Sequence, residues 1–174
     1  MTKILSIEGV EITQKSFHQV LIRGDGQDNF NQIINKEISF LPPSKNLEIK
    51  SKDNYIFAKN SFDQWSLLFV NEKNYNKVLK FIADINTNEE ILASDYSYGQ
   101  IYLEISGKNR NHFLNQLTNF DLRLKKFPEY TMAQTTIARI DCYIYHLKDK
   151  YLVTCNKSYE KYFKDRLVDL ANLN

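Results

Sequence analysis

The chain has 174 residues, a formal net charge of +2, 43% hydrophobic and 25% charged residues. That is ordinary globular composition for one domain or two small halves sharing a core, and roughly 70% of the unfolded chain's surface can be buried without staples. A charge so near zero, with lysines interleaved among acids, argues against nucleic acid as the main partner, and the one dense pair, Lys125-Lys126, reads as solvated surface.

The N-terminal "MTKILSIEGVEITQ" has an apolar run that acids interrupt, so it lacks the core of a signal peptide. No apolar run approaches the ~20 residues of a membrane span, and a cytoplasmic protein is expected. Punctuation comes at "GDGQDN" (24–29) and "LPPSKN" (41–46), where Pro42-Pro43 must be extended or turning. Before the first of these, "FHQVLIR" (17–23) reads as a strand. The apolar spacing at Phe30, Ile33, Ile34 and Ile38 predicts a short helix ending before the prolines.

"YIFA" (55–58) and "QWSLLFV" (64–70) predict a hairpin whose second arm is apolar on both faces. Trp65 on that arm is a core residue, and its indole N–H needs an acceptor; Asp63 can serve only if the chain turns back. A helix over 73–86 would bury Tyr75, Val78, Leu79, Ile82 and Ile85. Glu89-Glu90 read as a solvated loop. "GQIYLEI" (99–105) alternates, with Ile101, Leu103 and Ile105 on one side.

Ser106-Gly107 ends that strand, and a helix over 109–117 follows through Phe113, Leu114 and Leu117. Glycine before a helix start can mark an anion held on free backbone N–H groups, or only a turn. "TTIARIDCYIYHL" (135–147) predicts one long strand, with "YLVTC" (151–155) its hairpin partner across "KDK". The final helix, 158–170, takes Ser158 as N-cap and turns Tyr159, Tyr162, Phe163, Leu167 and Leu170 inward. The sum is α+β: a mixed or antiparallel sheet with helices packed on it. The chain reads as a single domain, 1–174, with halves 1–90 and 91–174.

Chemistry-bearing residues are few. Alternation along 135–147 puts Ala138, Ile140, Cys142 and Ile144 on one face and Arg139, Asp141, Tyr143 and Tyr145 on the other. That second face suits a flat acid-bearing ligand, a partner protein, since Tyr and Arg are enriched at interfaces, or plain water. Cys142 and Cys155 make no CxxC pair and read as buried free thiols of a reducing compartment. His18, His112 and His146 have no ligand spacing, so no metal site is expected. No GxGxxG, P-loop, HExxH or nucleophile-and-base motif occurs, so no catalytic residue is assigned.

Four motifs stand in order: "LIRGD" (21–25), "LPP" (41–43), "DQW" (63–65) and "FPEYTMAQT" (127–135). With "DYSYGQIYLEISGKNRNHFLNQLTNFDL" (95–122), they resemble the gamma subunit of heterotetrameric sarcosine oxidase, whose fold is that of the folate-binding domain of the glycine cleavage T-protein superfamily. The resemblance implies a non-catalytic subunit beside alpha, beta and delta subunits. Those would hold FAD, FMN, NAD, tetrahydrofolate and zinc, with no cofactor in this chain. The complex would demethylate sarcosine oxidatively, passing the one-carbon unit to tetrahydrofolate. The T-protein "GG-x-x-DD"-like segment is "ARID" here, with only Asp141 left, so 95–122 reads as a structural strand-to-helix passage. A free-standing folate-binding aminomethyltransferase relative and a stand-alone ligand-sensing module are the alternatives.

Overall fold

The computed structural model describes residues 2–70 and 73–173. They form two compact units that are not contiguous halves. Residues 17–98 make one unit; the N-terminal segment up to Ser16 and everything from Gly99 onward make the other. The break therefore does not fall at residue 90. Antiparallel pairing closes both sides of the insertion.

In the unit built from both ends of the chain, here the first unit, β1 (Thr2–Ile7) and β2 (Val10–Lys15) form a hairpin, and β2 pairs with β8 (Gln100–Ser106), Lys15 opposite Tyr102. In the inserted unit, β3 (His18–Arg23) pairs with β7 (Leu92–Asp95), Val20 opposite Asp95. The chain thus leaves one sheet and returns to it beside the strand it left.

The first unit is completed by α3 (Arg110–Asn115), β9 (Thr131–Ile137), β10 (Ile140–Leu147), β11 (Lys150–Asn156) and α4 (Glu160–Leu173). Its six strands run in the order β1-β2-β8-β11-β10-β9, every pairing antiparallel. Period-2 alternation sends Ile101, Leu103, Ile105, Ile140, Cys142 and Ile144 into one core, where Phe113, Leu114, Phe163 and Leu167 of the helices meet them.

The inserted unit adds α1 (Asp28–Ile38), β4 (Ile49–Lys52), β5 (Tyr55–Lys59), β6 (Gln64–Phe69) and α2 (Tyr75–Ile85). Its sheet order is β4-β5-β6-β3-β7, again antiparallel throughout. Its separate core gathers Val20, Ile22, Phe57, Trp65, Leu67 and Phe69 under Phe30, Ile34, Val78, Phe81 and Ile85. The α+β expectation, antiparallel strands with helices on them, is met in both units.

Several local expectations are corrected. The strand over 135–147 is two strands: Ala138 and Arg139, with φ of 52° and 67°, form the two-residue turn of a hairpin between β9 and β10. Primed hairpin turns favour Asn-Gly, so Ala-Arg gave no turn signal. The N-cap of the last helical segment is Asn156, whose side chain accepts from Ser158 N. Tyr159 and Tyr162, expected inward, are half exposed, because α4 turns Phe163, Leu167 and Ala171 to the core instead. On α2, Phe81 rather than Leu79 is buried. Trp65 is 1% exposed, as a core residue should be, but its indole N–H donates to Pro43 O at 2.9 Å, while Asp63 pairs with Arg23.

Candidate functional site

Asp141, Tyr143 and Tyr145 alternate along one face of β10, but Arg139 does not stand on the strand with them. Arg139 stands exposed on the β9–β10 turn, Asp141 is exposed one residue into β10, Tyr143 is half-buried, and Tyr145 is buried. No ion pair joins Arg139 to Asp141 among the described residues, since the turn lifts Arg139 out of the strand's pleat. A single face cannot therefore present all four to one ligand.

The turn brings Arg139 to residues far away in sequence. Ala138 N donates to Leu117 O at 2.8 Å, which ties the turn to the loop after α3. A cavity of about 440 Å³ opens there, lined by Gln116, Leu117, Ala138, Arg139, Tyr162 and Arg166. A second, of about 680 Å³, continues past Arg139 along Thr118, Asn119, Thr135 and Thr136. Sequence reasoning missed Tyr162 and Arg166 here. Their signal was helical spacing, which placed Tyr162 in the core and gave Arg166 no role.

Other polar clusters are engaged internally. The Ser97 hydroxyl donates to Asp95 Oδ1 at 2.6 Å and accepts from Gln19 N, so no His activates it as a nucleophile. The Tyr75 hydroxyl donates to Asp95 Oδ2, which pushes the phenol up to about 12. Partial burial works against the Asp95 carboxylate, yet the hydrogen bonds from Ser97 and Tyr75 hold it below its ordinary range. His146, 2% exposed, sits within 2.8 Å of Phe127 O and against the Phe127 and Tyr151 rings, a satisfied core histidine. Contact with Cys155 and burial push the Cys142 thiol up; the two are directly opposite on β10 and β11. No group of three or more metal-ligating side chains occurs among the described residues. Nor is any of their helices long and apolar enough to cross a membrane.

The strand-to-helix passage after β8 is filled by protein. Gly107 has φ +103°, and a Cβ there would lie 2.3 Å from Gly9 O. Asn109 N donates to that same carbonyl at 2.8 Å. This backbone donor is thus spent on the β1–β2 turn.

The α+β fold is shared with two solved proteins. The chain is similar to a chain of heterotetrameric sarcosine oxidase from Corynebacterium sp. U-96, with TM-score 0.83 and 14% identity, over 98% of this chain and 87% of that one. It is also similar to glycine cleavage system aminomethyltransferase T from Bartonella henselae, with TM-score 0.67 and 8% identity, covering 92% of this chain but 45% of that one. Among curated proteins, none matches by sequence. The fold is thus shared with part of that aminomethyltransferase. The chain itself belongs to the sarcosine oxidase, gamma subunit family, whose model matches residues 23–172.

Proposed function

We propose that the chain is a non-catalytic gamma subunit that supports the assembly of a sarcosine-oxidising flavoenzyme. Its partners are the alpha, beta and delta subunits of that complex. The family match over 23–172 carries this reading. The engagement of Ser97, Asp95, Tyr75 and His146 in internal contacts supports a scaffold role. The flavins, the nicotinamide dinucleotide, tetrahydrofolate and zinc belong to the other subunits, and this chain holds none of them. In the complex, sarcosine loses its methyl group by oxidation and the one-carbon unit goes to tetrahydrofolate.

The test is native mass spectrometry of the tagged chain purified gently from its own host. A species that contains this chain together with a flavin-bearing subunit is expected. A lone species of 20.5 kDa overturns the proposal. Titration with tetrahydrofolate then decides whether the isolated chain is a folate binder, with Asp141→Ala as the control.

A further inference from the structure

The cavity beside the β9–β10 turn has an unusual lining. Two guanidinium-bearing residues, Arg139 from the turn and Arg166 from α4, border the same 440 Å³ space with Tyr162, Gln116 and Leu117. Neither this cavity nor the adjoining one is lined by an aspartate or a glutamate. Arg139 makes no ion pair among the described residues, and Arg166 has only a loose exposed pair with Asp169 at 3.6 Å. The space is therefore open, bordered by two cations and lined by no carboxylate.

Arginine and tyrosine are the residue types that most often anchor protein–protein contacts. The guanidinium fork matches a carboxylate bidentately, and the match strengthens as water leaves the contact. Tyr162 is 47% exposed although its helix has a core face, so a ring and a hydroxyl are left on the rim. The turn that carries Arg139 is fixed by the Ala138–Leu117 hydrogen bond, so its position is set before any contact forms.

We propose that this cavity is a docking socket for an acidic side chain, Asp or Glu, on a partner subunit, received between Arg139 and Arg166 with Tyr162 packing beside it. The proposal rests on the assembly-subunit reading and names the surface that reading leaves open.

The test uses the complex as purified from its host. Hydrogen exchange is compared between the complex and the free chain over 138–141 and 162–166, and the assembled fraction is read by native mass spectrometry for wild type and R139E/R166E. Protection of both segments in the complex is expected. So is a loss of about tenfold or more in assembled chain for the double variant, as for removal of desolvated charge pairs. An unchanged melting temperature of the free variant shows that folding is intact. Tyr162→Ala, which keeps both charges, should weaken assembly less.

Equal exchange in free and assembled chain, or full assembly of R139E/R166E, overturns the socket while leaving the subunit reading standing. Failure of wild type to assemble at all overturns both. Submillimolar binding of inorganic phosphate by the free chain, lost in R139E/R166E, makes the cavity a small-anion site and also overturns the socket.

Discussion

Gly107 shows how one residue decides a structural question. Its φ of +103° is a conformation L side chains rarely adopt, and the Gly9 carbonyl fills the place of a Cβ. Both neighbours of that close approach are backbone, so neither can swing aside. Gly107→Ala is expected to cost about 2 kcal/mol or more in urea unfolding. A variant within about 0.5 kcal/mol of wild type would show that the approach relaxes cheaply. The glycine was visible in the sequence, but its reason was not, because Gly9 lies nearly a hundred residues away. Arg139 is the opposite case: alternation placed it on a strand face, and two positive φ values on residues that seldom adopt them moved it to a turn.

At the scale of elements, β2 and the start of α4 are joined through Glu160. Its carboxylate accepts from Lys164 at 2.6 Å and from Gln14 at 2.9 Å, and pairs with Lys157 at 2.9 Å. Lys164 first, then Lys157 and Gln14, hold its pKa down to about 2. An unfolded glutamate titrates near about 4.3, so the folded state binds the proton less readily. The stabilisation is complete above that value and is lost as pH falls from about 4 towards about 2. E160Q should therefore be less stable than wild type at neutral pH, by about 1 kcal/mol or less for so exposed a network. The gap should narrow at about pH 3, measured by urea unfolding at both pH values; a gap that stays constant argues against the ionic origin. The elements themselves were mostly legible where period and burial agree, as in β8, β11 and α1. The short strands β4 and β7 and the β1–β2 hairpin were not. Four to six residues carry too little periodicity, and the partner of β7, β3, lies about seventy residues earlier in the chain.

For the whole molecule, the two cores carry their own reporters. Trp65, the single tryptophan, lies in the core of residues 17–98. Cys142 and Cys155, 1% and 2% exposed, lie in the core of the other unit. Phe163, fully buried in that second core, is expected to cost about 3–5 kcal/mol when replaced by alanine. The readout is the urea concentration at which both thiols become reactive, which should fall well below that of wild type. Thiols that stay protected to the wild-type concentration would mean that Phe163 contributes little to that core.

By itself the sequence determined the α+β class, the buried tryptophan and thiols and the ordered motifs of the gamma subunit family, because these rest on local period, composition and residue order. Only the tertiary structure decided that residues 17–98 are an insertion between paired strands. It also split the predicted long strand at Ala138-Arg139 and set Arg139 beside Arg166 and Tyr162. The insertion and the meeting of Arg139 with Arg166 depend on residues far apart in the chain, and the split on a turn its local sequence does not favour, so hydrogen bonding and close packing outweigh local preference.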